Sequence, residues 1–233
     1  MRFVLLEGLG VSAVLFDLDG VLIDSMPFHY EAYRQVLAQE GLAVERQDIY
    51  LREGLGTPEV LRSLAEEKQW PLTPERMAEL ADRRRAVFYR LYEHRVFADV
   101  PGLLGWLSEA GYRLGVVSAA TRQSLHMCLN DYAVGEGQAG LGRWFSVAVS
   151  GTSVARGKPF PDPYLQAIRE MRLEPAQALV VENAPIGITA ARAAGCRCVA
   201  LETTLPRSYL EGANWIVPDH ASLLRLLRDG GLQ

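Results

Sequence analysis

Apolar positions in this chain fall into short runs separated by stretches with helical spacing. Residues 11–16 are almost wholly apolar and lead into Asp17. Residues 112–117 lead into Ser118, 145–149 into Ser150, 178–181 into Glu182 and 197–201 into Glu202. Runs of this length, rich in β-branched residues, predict strands buried on both faces. Between them, apolar residues recur every three or four positions, as over 162–171 and 185–194, and predict helices. Strands alternating with helices define an α/β fold, a doubly wound parallel sheet covered on both faces. Each predicted strand ends in a polar residue, and the carboxyl edge of such a sheet is where ligands bind.

Residues 26–97 break the alternation, with no strand predicted there. Ser25 is placed to cap a helix that has Pro27 in its first turn. His29, Ala32, Tyr33, Val36 and Leu37 make its stripe. Thr57-Pro58-Glu59 starts a second helix, which Trp70-Pro71 stops. Thr73-Pro74-Glu75 starts a third, running on through Leu91. The expectation is an inserted all-helical domain over 26–97, with 1–25 and 98–233 forming the α/β core. Residues 1–10 read as an extra strand or a frayed start.

The chain has 233 residues, enough for one sizeable core carrying a smaller insertion. Hydrophobic residues make up 49% and charged residues 22%, an ordinary globular balance. A formal net charge of -4 is poorly suited to nucleic acid, whose affinity comes from clustered Lys and Arg. It gives no reason to expect an anionic membrane partner either. No apolar run is long enough to span a bilayer, and no leader peptide is read at the start. Cys128, Cys196 and Cys198 do not make a disulfide framework. They read as buried free thiols, which implies the cytoplasm.

The segment Asp17-Leu18-Asp19-Gly20 carries the clearest chemistry. Two carboxylates two residues apart face the same way on extended chain. They repel, so a cation or a shared proton is expected nearby. One carboxylate can attack phosphorus while the other protonates a leaving oxygen. The Ser118 hydroxyl and the amides that follow, beginning at Ala119, can hold a phosphate oxygen. Lys158 sits among prolines that stiffen its loop. Glu182-Asn183 offers oxygen ligands that suit magnesium. Singly, each has a plainer explanation: a turn of solvated acids, helix caps at Ser118 and Asn183, a surface lysine.

Together, Asp17-x-Asp19-Gly20, Ser118, Lys158-Pro159 and Glu182-Asn183 with Gly187-Ile188-x-Ala190-Ala191 resemble the four motifs of the haloacid dehalogenase superfamily. The helical insertion is similar to the cap of the subgroup that includes β-phosphoglucomutase and phosphoglycolate phosphatase. The resemblance implies a magnesium-dependent phosphatase of a small phosphorylated metabolite. By it, Asp17 is the nucleophile and Asp19 the general acid and base. Ser118, Ala119 and Lys158 grip the phosphoryl group. Asp17, Asp19 through its backbone carbonyl, and Glu182 or Asn183 hold Mg2+. His29 matches a histidine that in this subgroup faces the leaving group, although a packed residue explains its stripe equally well.

The fourth motif departs from the subgroup's usual Glu-Asp, because Asn183 carries one negative charge fewer. That departure keeps open a catalytically silent binding protein on the same scaffold. A phosphosugar mutase is the other alternative. It would need a cation in the insertion for a second phosphate; the matching Thr57 is neutral, and Arg52 is the nearby substitute. Gly135 to Gly140 spells G-x-G-x-x-G, but its flanks are wrong for a dinucleotide site. Arg83-Arg84-Arg85 reads as a mostly solvated face.

Overall fold

The computed structural model describes residue 6, residues 8–132 and residues 140–229. All but the last glycine of the G-x-G-x-x-G stretch lie outside the described residues. Six strands make one parallel sheet: β1 (Ala13–Phe16), β2 (Arg113–Ser118), β3 (Val147–Ser150), β4 (Ala178–Glu182), β5 (Arg197–Leu201) and β6 (Trp215–Val217). Their order is β3-β2-β1-β4-β5-β6, with every pairing parallel. The five predicted runs are all strands, with ends shifted by two residues or fewer. The sixth strand was not predicted, because three residues are too few to show a period.

Alternate side chains leave the sheet on opposite faces. Val14, Phe16, Leu179 and Val181 pack on one side with Leu103, Leu107 and Leu223. Ala13, Leu15, Val180 and Cys198 pack on the other with Tyr164, Ile168 and Ala191. Both faces are covered, as the continuous apolar strands require. Cys196 and Cys198 are buried free thiols, whereas Cys128 is only partly buried. Leu6 and Gly8 are helical, so the extra strand allowed for the first residues is not formed there.

Between β1 and β2 the described chain is helical: α1 (Met26–Ala38), α2 (Arg46–Tyr50), α3 (Thr57–Glu67) and α4 (Pro74–Leu91). Prolines in the first turns start α1, α3 and α4, and Thr73 Oγ1 accepts from the Arg76 backbone N–H at the head of α4. Helix α2 was not predicted; five residues show no period, and a Glu45–Asp48 capping box defines it instead. The chain leaves and re-enters the sheet region at one place. Ile23 and Val96 form an antiparallel bridge, the Asp24 N–H donates to the Arg95 carbonyl over 2.8 Å, and the Phe97 N–H donates to Leu22 over 3.2 Å. The remaining helices are α5 (Val100–Glu109), α6 (Arg122–His126), α7 (Asp162–Glu170), α8 (Pro185–Ala193) and α9 (His220–Asp229). Among the described residues, no helix is long and apolar enough to cross a membrane.

Candidate active site

The strand order reverses direction about β1, and the carboxyl ends of β1, β2 and β4 meet there. Asp17 follows β1, with its N–H donating to the Val181 carbonyl of β4 over 3.0 Å. Ser118 ends β2 and Glu182 ends β4. Parallel pairing therefore brings the sequence-distant motifs to one edge.

Lys158 is the centre of the buried charge. Its Nζ donates to Asp17 Oδ1 over 2.5 Å, to Glu182 Oε1 over 2.6 Å and to the Val117 carbonyl over 3.2 Å. All three ammonium protons are used. Asp17, Lys158 and Glu182 are each at most 5% exposed. Burial lowers the Lys158 pKa, but Asp17 and Glu182 outweigh it, so the group is raised and stays charged. For Asp17 burial is the largest influence and raises the carboxyl; Lys158 opposes it and Glu182 and Asp19 reinforce it, leaving about 7. Glu182 also accepts from Tyr164 Oη over 2.6 Å and, through Oε2, from the Asn183 N–H over 3.1 Å. A Cβ built on Gly187 would lie 1.8 Å from Glu182 Oε1, so only glycine lets α8 begin this close.

Asp19 faces the cavity with a quarter of its side chain exposed. Its Oδ1 accepts from Ser25 Oγ over 2.5 Å and lies 3.4 Å from His29 Nε2. Ser25 was expected to cap α1; its hydroxyl makes no cap bond and holds Asp19 instead. Burial raises the Asp19 pKa, yet the His29 and Ser25 hydrogen bonds and the Arg84 charge outweigh it, and the carboxyl is lowered. The His29 ring stacks on Phe88 at 4.3 Å, and its Nδ1 meets Arg84 Nη2. Arginine only donates, so Nδ1 is the acceptor and Nε2 carries the proton toward Asp19. Burial and then Arg84 lower the His29 pKa, in keeping with a neutral ring.

Arg84 corrects the reading of its arginine run as a solvated face. It is 9% exposed, lies over the Tyr33 and Phe88 rings, and has no hydrogen-bond partner at Nε. Arg83 and Arg85 do pair with exposed acids. Arg52, the substitute cation, is bound to Glu67, to Ser63 Oγ over 2.9 Å and to the Asp48 carbonyl over 2.7 Å.

Asn183 is fully buried and does not cap α8; Ala184 holds that position. Its Nδ2 donates to Glu53 Oε1 over 2.7 Å and to Thr204 Oγ1 over 2.9 Å, and Thr204 donates to Glu53 Oε2 over 3.1 Å. Burial raises the Glu53 pKa well above the usual carboxylate range; the Asn183 hydrogen bond opposes this and Asp17, Asp19 and Glu182 add to it. A Cβ on Gly20, which has φ 71°, would come within 2.0 Å of Asn183 Nδ2 and 2.7 Å of Glu53 Oε1.

A cavity of about 460 Å³ opens over these groups, lined by Asp17, Asp19, His29, Glu53, Arg84 and Ala119 among others. Ser118 is buried below it, and its Oγ accepts from the Ala120 N–H over 3.0 Å. Thr121, not Ser118, caps the next helix, α6. The residues fit a hard cation in one respect. Asn183 Oδ1 is buried without a hydrogen-bond partner, close to an edge rich in carboxylate oxygen. Among the described residues, no three His, Cys, Asp or Glu side chains converge to hold a metal. An ion here would draw on the amide and on backbone oxygen as well as on carboxylate.

Sequence reading missed Ser25, Glu53, Arg84, Tyr164 and Thr204. Thr203-Thr204 carries a usable signal, since it follows a strand end like the other polar residues of the site. Tyr164 lies six residues beyond Lys158, and only the packing of α7 beneath the sheet brings it to Glu182.

The profile of the haloacid dehalogenase-like hydrolases matches residues 14–201, and the chain belongs to that family. Among its relatives, the fructose-1-phosphate phosphatase YqaB of Escherichia coli (strain K12) is 30% identical over 81% of this chain and 95% of its own. The validoxylamine A 7'-phosphate phosphatase of Streptomyces hygroscopicus subsp. limoneus is 31% identical over 88% and 92%. The solved β-phosphoglucomutase of Clostridium difficile shares the fold, with a TM-score of 0.75 and 20% identity over 90% of this chain and 91% of that one.

Proposed function

We propose that the protein is a phosphatase of small phosphorylated metabolites that works through a phospho-aspartyl intermediate on Asp17. The observation that carries this is the pairing of two unlike carboxylates two residues apart. Asp17 is buried against Lys158, while Asp19 faces the cavity beside His29. The names of the curated relatives support the same reading.

An Asp17 carboxylate oxygen attacks phosphorus, the bond from phosphorus to the leaving oxygen breaks, and Asp19 delivers a proton to that oxygen. Water then attacks the phospho-aspartate, Asp19 takes its proton, and the phosphorus–Asp17 bond breaks to release phosphate. The lowered pKa keeps Asp19 ionised, the form that can take a proton from water, although it weakens the base. An incoming phosphate anion raises that pKa and so favours the acid role. Lys158 offsets the charge of nucleophile and phosphoryl group. Ser118 and the Ala119 amide complete the phosphoryl pocket. Arg84, which lines the cavity, supplies a positive charge that suits a phosphorylated substrate.

Mg2+ would be held by Asp17, the Asp19 carbonyl and Asn183. When bound, it neutralises charge between the nucleophile and the phosphoryl group. Glu182 is a weaker candidate, because both its oxygens already accept hydrogen bonds. Residues 26–97 act as a cap, and a cavity of about 460 Å³ beneath it suits metabolites. Three free cysteines support a cytoplasmic location. Arg52 is bound within the insertion and is not offered to a second phosphate, which disfavours the mutase.

The test is Asp17→Asn, which is nearly isosteric and leaves Glu182 to pair with Lys158. Turnover of phosphate monoesters should fall about a thousandfold or more with the fold unchanged, as expected when a nucleophile is lost. Full activity in the pure variant would sink the covalent mechanism.

A further inference from the structure

Glu53 belongs to the helical insertion, yet its carboxyl group is buried against Asn183 of the sheet domain. No step of the reaction above uses it. Its hydrogen bonds nevertheless determine which way the Asn183 amide points. Both amide protons are taken, one by Glu53 Oε1 and one by Thr204 Oγ1. The Thr204 hydroxyl closes the triangle by bonding Glu53 Oε2. With both N–H groups turned to Glu53 and Thr204, the amide oxygen is turned away from them, and it is left buried and unpartnered. The triangle holds in either protonation state of Glu53. Oε1 accepts in both, and Oε2 accepts from Thr204 or donates to it. The contact is also a tight one, since Gly20 of the Asp17 loop leaves room for it only by having no side chain.

From this geometry we infer that Glu53 and Thr204 are positioning residues, which hold the Asn183 amide with its oxygen presented as a metal ligand; the inference rests on the metal reading above. Residues that orient a ligand change metal affinity about 10-fold to 100-fold when removed. Because Glu53 comes from the insertion and Thr204 from the sheet domain, the oxygen is presented only while the insertion is seated. The seated insertion then tightens metal binding without supplying a ligand.

The experiment is calorimetric titration of the whole protein with Mg2+ at fixed pH and ionic strength, alongside thermal melts. Glu53→Met removes the acceptor at similar length and should weaken Mg2+ about 10-fold or more. Glu53→Gln keeps an acceptor oxygen and a donor to Thr204, and should stay near native affinity. Thr204→Val loses one hydrogen bond and should weaken Mg2+ about threefold to tenfold; it decides the matter if Glu53→Met fails to fold. Unchanged Mg2+ affinity in Glu53→Met or Thr204→Val, with only a lower melting temperature, overturns the inference and leaves the phosphatase reading standing. Equal losses in Glu53→Gln and Glu53→Met overturn it too, since charge and not orientation would then be at work. A native protein that binds no Mg2+ removes the metal reading and this inference with it.

Discussion

Lys158 Nζ and Asp17 Oδ1 sit 2.5 Å apart with both side chains buried, and Glu182 shares the same ammonium. Replacing Lys158 with Met leaves two buried carboxylates without their cation. Breaking a buried ion pair from one side costs about 3–5 kcal/mol. Urea unfolding of Lys158→Met should show a loss of that size together with loss of turnover. Stability equal to the native protein would mean that the two carboxylates do not depend on this cation.

Asp19→Asn separates the two halves of the proposed reaction. General acid–base catalysis contributes about 10²-fold to 10⁴-fold, and alkyl phosphates should lose that much. Nitrophenyl phosphate is different, because nitrophenolate leaves without a proton. Rapid mixing should show a burst of about one nitrophenolate per protein, followed by slow release as water waits for its base. A single slow phase with no burst would remove Asp19 from the second step.

Gly187→Ala tests how firmly Glu182 is held. The new Cβ would meet the carboxylate at 1.8 Å, and Lys158, Tyr164 and the Asn183 N–H all hold that carboxylate in place. Overpacking of this kind costs about 1–3 kcal/mol. Denaturant unfolding should report it; a change below about 0.5 kcal/mol, the scale of an indifferent substitution, would show that Glu182 moves freely.

Asn183→Asp sets a second carboxylate against Glu53. From the sequence alone, the added charge would be expected to tighten magnesium binding. With Glu53 2.7 Å away and its own carboxyl already raised, the new carboxylate shares a proton with it instead of carrying a full charge toward the metal. The expected result is therefore the opposite: Mg2+ binding no tighter, and weaker where both groups are ionised. Adding Glu53→Gln restores a donor to face the new carboxylate, so the double variant should bind Mg2+ more tightly than Asn183→Asp. Equal affinity in the two would show that the residues are uncoupled.

His220 gives a pH signature away from the site. Its Nε2 donates to the Val21 carbonyl over 2.6 Å, and its ring rests on Phe97. Burial lowers its pKa from 6.5, with the Val21 bond, Asp99 and Asp219 opposing. A lowered histidine binds its proton less readily folded than unfolded. Its contribution is present above the unfolded pKa and is lost as pH falls through the folded one. Asp17 and Glu53, both raised, push the other way, so the useful quantity is a difference. Between pH 7.5 and 5, melting temperature should fall more steeply in the native protein than in His220→Gln. Parallel curves would mean that His220 titrates alike in both states.

Much of the sheet was legible because buried parallel strands write themselves as apolar runs ending in a polar residue. Asp17, Ser118 and Glu182 were found that way, and the geometry does gather them at one edge with Lys158. What could not be read was partnership across long sequence separations. Ser25 looked like a helix cap and holds Asp19; Asn183 looked like a cap or a ligand and is also pinned by Glu53, 130 positions away. Arg84 was hidden in a run of three arginines, because a helix turns about 100° per residue and only one of the three successive side chains is buried.

The bridge between Ile23 and Val96 has a consequence for how such a molecule can change. Since the insertion departs and returns at neighbouring points, the sheet experiences it much as it would a short hairpin. Most of the chemistry-bearing residues stay on the sheet side of that junction, while Arg84, His29 and Glu53 lie beyond it. A different insertion grafted at the same two points would inherit Asp17, Lys158 and Asp19, but not the contacts that His29 makes with Asp19 and Glu53 with Asn183. The walls of the cavity are thus drawn from two stretches of one chain, joined at a single seam.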